Sequence, residues 1–310
     1  DADGREETVL NTDQQVLTFK PSYSGALVEW DWRAARYNLL NGMTRRREGY
    51  HEDLQRAAEE GRLVLPGEPE RPDGIRVKEP DIHTRLFHDW YRRAAFLDHF
   101  LHPDTTLENF YRAQYGEQGD FVNQPYQAQT KEDAAGVTLV LGREGIVWTG
   151  ETPVPVQVEK RFVVTPGNLL LTAHYRLASG ARLVSRFGVE LNWGILGGGS
   201  ERAFLHVLRG REKIRRRPTD MGEAWEVTGL VLGLPFPPLE GMEWGHRTGT
   251  PQIVLTLSVP ANLWHFPLEA VSNSEAGYER VYQGTCTLFW WDVALEPGEP
   301  WEITMQVALS

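Results

Sequence analysis

The strongest constraint on this chain is a recurring pattern: short apolar or alternating segments, rich in β-branched residues, follow one another with Gly and Pro between them. Strand candidates fall at 8–19, 26–31, 137–141, 154–165, 169–177, 183–193, 203–208, 224–232, 253–259, 285–293 and 301–309. Strands that follow one another without regular helices between them predict a mainly β fold, a large antiparallel β-sandwich and not a βαβ array.

Residues 38–118 break the pattern. After Pro80, apolar residues recur three or four apart at Ile82, Leu86, Trp90, Ala94, Leu97 and Leu101, and Pro103 closes the series. This spacing predicts a helix from about Asp81, although 93–100 can equally alternate as a strand. A second helix is expected over 45–58, and the three prolines of 65–72 indicate a surface loop. The expected organisation is an acidic linker over 1–7, then one sandwich over 8–310 carrying a short helical and loop insert at about 38–118.

One stretch permits a register argument. Leu169, Leu171, Ala173, Tyr175 and Leu177 share one strand face, as do Leu183, Ser185, Phe187, Val189 and Leu191 on the next strand. The two are expected to form a hairpin, in which a two-residue turn at Ser179-Gly180 would pair 177 with 182 and set these rows on opposite faces. A three-residue loop, Ala178-Ser179-Gly180, pairs 177 with 181 and aligns them. The other face then carries Thr172, His174, Arg176, Arg182, Arg186, Glu190 and Asn192, either as solvent surface or as the floor of a concave groove.

Net charge is −11. Phosphate neutralisation needs a surplus of Lys and Arg, so neither nucleic acid nor an anionic membrane surface is an expected partner. No apolar run reaches the roughly 18 to 20 residues needed to span a bilayer. The single cysteine, Cys286, lies in an apolar segment without a basic neighbour in sequence. It is expected to be a buried structural thiol in a cytoplasmic protein. The chain opens at Asp1 without an initiator Met, which suggests processing or excision from a longer polypeptide. Its 11 Trp residues keep carbohydrate in view, because indole rings stack on sugars as well as filling cores.

Chemistry-bearing patterns are few. The acidic run at Asp1, Asp3, Glu6 and Glu7 around Gly4 is either a calcium-type oxygen cluster using Asp1 and Asp3 or a solvated linker. His83, His88, His99 and His102 lack zinc-site context. Gly194 to Gly199 lacks the Lys and Ser or Thr of a phosphate loop and is expected to be a flexible loop. His174 with Glu190, or His265 with Glu269, could supply an acid/base pair for sugar mutarotation. The densest unusual stretch, 263–284, mixes aromatics with carboxylates and amides, as sugar sites do; a turn rich in Ser and Gly is the structural alternative.

That stretch resembles the C-terminal β-sandwich domain of glycoside hydrolase family 57, the α-amylase and 4-α-glucanotransferase group. Further stretches agree: Gly25 to Asp31, Asn38 to Asn41, Arg45 to His51, Asp98-His99-Phe100 and Phe187 to Asn192. The resemblance implies a galactose-mutarotase-like supersandwich beside an N-terminal catalytic (β/α)7 barrel acting on α-1,4-glucans. In such enzymes the catalytic carboxylates belong to the barrel, so no catalytic residue is assigned to this chain. The expected role is a non-catalytic module that supports the barrel, with sugar contact expected from Trp264, His265, Glu275, Glu279 and Tyr282. The alternatives are a stand-alone aldose mutarotase or epimerase, and a purely structural domain.

Overall fold

A computed structural model gives the fold and describes residues 4–40, 42, 44–133, 136–235 and 250–310. The chain order is β1 (Thr8–Asn11), β2 (Gln15–Lys20), β3 (Ala26–Trp32), β4 (Tyr37–Asn38), α1 (Gly49–Glu59), β5 (Leu63–Val64), β6 (Ile75–Arg76), β7 (Ala95–Leu101) and α2 (Leu107–Tyr111). There follow β8 (Gln127–Asp133), β9 (Gly136–Thr149), β10 (Thr152–Val164), β11 (Leu170–Ser179), β12 (Leu183–Trp193), β13 (Phe204–Arg209), β14 (Glu212–Arg216) and β15 (Gly222–Gly233). The last three are β16 (Gln252–Ser274), β17 (Gly277–Leu295) and β18 (Trp301–Leu309).

The expected antiparallel sandwich is present, built as one continuous sheet that curls upon itself. Its main path runs β1-β2-β3-β7-β12-β17-β16-β18-β11-β10-β9-β8, and β15 pairs with β16 beside it. The long β16 joins the two layers: residues 253–257 pair with β18, while 262–274 pair with β17. Aromatic contacts then close the sandwich across strands far apart along that path. Phe19 of β2 meets Phe162 of β10 at 4.6 Å, and Tyr175 of β11 meets Phe187 of β12 at 6.0 Å.

The last contact corrects the hairpin register. Both apolar rows are buried as expected, but β11 and β12 do not pair. β11 lies between β10 and β18, whereas β12 lies between β7 and β17. The segment after Ser179 carries the chain from one layer to the other, so the rows face each other across the core. Alternation reports which face is buried, not which strand is the neighbour.

The helix expected from Asp81 also needs correction. Only a single 3-10 turn forms, Ile82–Arg85, and β7 occupies the later half. Every β7 residue is buried, because the strand is flanked by β12 and β3 and covered on both faces. Tertiary packing thus overrides a spacing that suits a helix. The helix expected over 45–58 is α1, beginning four residues later. The candidate strand at 8–19 is the β1–β2 hairpin, folded at Thr12–Gln14. The expected insert at 38–118 is not wholly outside the sheet, since β7 is one of its central strands; the rest, including α1, the 3-10 turn and α2, packs on the outer face of the layer containing β7, β12, β17 and β16 and adds a third layer there. Among the described residues no helix is long and apolar enough to cross a membrane.

Candidate functional site

The insert covers a buried ionic network on β12. Glu190 Oε2 accepts hydrogen bonds from Tyr91 Oη at 2.6 Å and His99 Nε2 at 2.9 Å. Its Oε1 accepts from Arg93 at 2.9 Å and Asn192 Nδ2 at 2.6 Å. Arg93 and Arg45 share Asp89, the first at 2.9 Å and the second at 2.6 Å. His99 Nδ1 lies 2.8 Å from Glu117 Oε2, whose other oxygen accepts the amide of Phe100.

The charges balance, with Arg45, Arg93 and His99 facing Asp89, Glu190 and Glu117. Burial penalises the Glu190 carboxylate, but the Arg93 charge and the His99 bond outweigh it and hold the group at about 2. Burial likewise opposes the His99 cation, and its bonds to Glu117 and Glu190 outweigh that and raise it to about 9. Cys286 lies beneath, with Arg93 Nη1 3.8 Å from its sulfur; burial, then the Glu190 charge, pushes the thiol well above its ordinary range. The side chains of Asp89, Glu190 and His99 have no solvent exposure, so a dissolved substrate cannot reach them. The network clamps the insert to the sheet.

The two proposed acid/base pairs do not form. His174 stands on the exposed face of β11, bonded to Thr304 Oγ1 at 2.9 Å, while Glu190 is sealed behind β12. The polar residues grouped on one face by the hairpin are therefore divided between outer surface and covered layer. His265 bonds the carbonyl of Asp220 at 3.0 Å, and burial lowers it to about 4; Glu269 pairs with Arg280 at 3.0 Å.

The five expected sugar contacts do not converge. Trp264 is 3% exposed and His265 1%, so neither can lie against a sugar from solvent, which corrects those two expectations. Trp264 instead packs with Phe110 and Trp290, filling the interval between sheet and insert. Glu279 pairs with Lys78 near the β16–β17 turn. Its cross-strand partner, Ser272, lies eight residues from Trp264, about 26 Å at roughly 3.3 Å per residue. Glu275 borders an open cleft of about 420 Å³ with Asp53, Arg62, Arg76 and Tyr278. Tyr282 is half-buried against Gly198, its hydroxyl 2.6 Å from Thr285 Oγ1. Asp1 and Asp3, the calcium candidates, lie outside the described residues. Among the described residues no group of three His, Cys, Asp or Glu side chains is placed to hold a metal ion.

Sequence reasoning did not assign Asp89 and Arg93 to this network. Their four-residue spacing suits a surface ion pair on a helix, whereas here they are buried in irregular chain. One signal was available: Arg45, His99 and Glu190 belong to three separate stretches that carry the family resemblance, and the fold brings all three into one network.

A family model described as the C-terminal part of α-amylase and 4-α-glucanotransferase matches residues 1–305. The chain is 29% identical to a 4-α-glucanotransferase of Thermococcus litoralis, over 92% of this chain and 37% of that protein. It is 27% identical to an α-amylase of Pyrococcus abyssi, again over 92% of this chain and 37% of that protein. The chain thus spans little more than a third of the curated relatives it matches. The crystal structure of the T. litoralis glucanotransferase superposes with a TM-score of 0.70 at 27% identity, covering 99% of this chain and 38% of that one. A galactose mutarotase-like protein from Lactobacillus casei superposes at 0.52 with 10% identity, over 98% of this chain and all of the other, a likeness of fold alone.

Proposed function

Since the chain belongs to the family of C-terminal domains of α-amylases and 4-α-glucanotransferases, we propose that it is the non-catalytic sandwich module of an enzyme acting on α-1,4-glucans. In this reading it supports an N-terminal (β/α)7 barrel that carries the catalytic carboxylates, contacts glucan itself, and works in the cytoplasm. The observation that carries the reading is one of coverage: the match extends over nearly the whole chain yet only about 37% of each relative. The remaining length of those relatives is available for a separate catalytic domain.

A mutarotase reading rests on fold alone, which is a weak warrant for activity. The His174 and Glu190 pair it would use is split between an exposed face and a sealed layer. Two assays on the 310-residue polypeptide test the proposal. Maltotriose should give no glucose and no longer oligosaccharides, and freshly dissolved α-glucose or α-galactose should mutarotate at the buffer rate. Turnover in the first assay would put catalysis within this chain, and acceleration in the second would restore the mutarotase.

A further inference from the structure

The covered face of β12, β17 and β16 emerges from beneath the insert at one end, where an unusual group of side chains meets solvent. Arg186 of β12 pairs in register with Asp292 of β17, and its Nε lies 3.4 Å from Asp292 Oδ1. Two residue pairs further along, on the same face, Trp290 sits opposite Gly188 on one side and Asn262 of β16 on the other. The Arg186 guanidinium lies over the Trp290 ring at 4.1 Å, and Trp225 of β15 stands edge-on to that ring at 6.4 Å.

Trp225 is 47% exposed, and the backbone is distorted where it projects. The β15–β16 register shifts between Ala224 and Val227, so that Trp225 and Glu226 form a bulge, and Glu226 takes the left-handed φ of 57°. A left-handed non-glycine residue is strained, and a bulge re-aims the side chains of its strand. Here backbone strain at Glu226 adjoins apolar exposure at Trp225, and neither contributes to the core. Below it, the indole N–H groups of Trp264 and Trp290 have no hydrogen-bond partner among the described residues.

We propose that Trp225, Arg186, Asp292 and Asn262 form a surface subsite for glucose units of an α-1,4-glucan. The chemistry of the face selects this ligand class. Trp225 offers an accessible aromatic plane for the C–H face of a pyranose. Arg186 and Asp292 offer a fixed donor and acceptor for hydroxyls, and Asn262 offers an amide. Because Arg186 and Asp292 neutralise each other, the face favours an uncharged, hydroxyl-rich ligand over an anion. The choice of α-1,4-glucan, as opposed to another neutral glycan, rests on the proposed function.

Isothermal titration of the full 310-residue chain with maltoheptaose, and in parallel with cellohexaose, tests the subsite. Saturable maltoheptaose binding is expected, at least tenfold weaker in Trp225→Ala and within twofold of the original in Trp148→Ala, which removes an exposed indole on β9. Circular dichroism should show both variants folded, since neither ring lies in the core. Equal binding by Trp225→Ala would overturn the subsite alone, whereas failure of the unsubstituted chain to bind maltoheptaose would overturn both the subsite and the glucan contact of the proposed function, leaving the non-catalytic role to its own assays. Cellohexaose binding of equal strength, also lost in Trp225→Ala, would uphold a sugar subsite while overturning its α-1,4 preference and counting against the proposed function.

Discussion

Glu190 Oε2 lies 2.9 Å from His99 Nε2, and neither side chain has any contact with solvent. Removing the carboxylate by Glu190→Ala leaves His99 and Arg93 as buried cations deprived of a shared partner. Breaking one side of such a pair costs about 3–5 kcal/mol. Urea unfolding followed by far-UV circular dichroism should show a loss of that size. A loss below about 1 kcal/mol would mean that the insert is held by its apolar contacts alone.

The same pair sets a pH dependence. His99 is held above its ordinary 6.5, to about 9, so its contribution to stability is complete below about pH 6.5 and is lost as pH rises through about 9. Glu190 is held below its ordinary 4.5, to about 2, so its contribution is complete above about pH 4.5 and is lost as pH falls through about 2. Urea midpoints should therefore fall between pH 6.5 and 9. In His99→Gln that alkaline slope should flatten, and an unchanged slope would assign the dependence to another group.

Lys160 gives a second buried charge between the layers. Its Nζ lies 2.9 Å from Asp98 Oδ2 and donates to the carbonyls of Ser24 at 2.6 Å and Phe96 at 2.9 Å. Both carbonyls belong to residues with left-handed φ, 55° and 62°, so the ammonium fixes two unusual turns of the backbone. Lys160→Met should cost about 3–5 kcal/mol by leaving Asp98 without a counter-charge, its hydrogen bond from Tyr126 Oη remaining, and adding Asp98→Leu should recover a substantial part of the loss. Denaturant titrations of both variants check this; a double variant no more stable than Lys160→Met would place the cost in the freed carbonyls.

The legibility of these features in the sequence follows from range. Alternation in Leu171 to Leu177 and Leu183 to Leu191 identifies buried faces because it is a local property of each strand. It cannot identify neighbours, and the two strands lie in opposite layers. Asp89 and Arg93 look like a solvated helical pair until β12 supplies Glu190 from 97 residues away. Trp264 has the composition of a sugar contact and the position of a core residue, because its exposure is decided by α2 and Phe110, which no pattern around 264 encodes. Trp225 lies in a segment that reads as plain strand, and neither its exposure nor the bulge at 225–226 is encoded in the local pattern.

Cys286 should be silent in the folded protein. The thiol is fully buried, and burial with the nearby Glu190 charge keeps it protonated. Ellman's reagent should give no colour over hours under native conditions and one thiol per chain at once in guanidinium. Prompt native reaction would show that the insert opens readily from β12 and β17, and Glu190→Ala should accelerate labelling by loosening that cover.

The Glu226 backbone makes the last prediction one of stabilisation. Its φ of 57° costs an L-residue about 1–2 kcal/mol, and glycine adopts the same geometry freely. Glycine gives back roughly 0.5–1 kcal/mol through the entropy of the unfolded chain, which leaves Glu226→Gly more stable by about 0.5–1 kcal/mol. The side chain is exposed, so little packing is lost. A raised thermal midpoint with Trp225 still open to aqueous quenchers would show that the bulge persists without Glu226. A lowered midpoint would mean that the left-handed turn is not a cost borne by this residue.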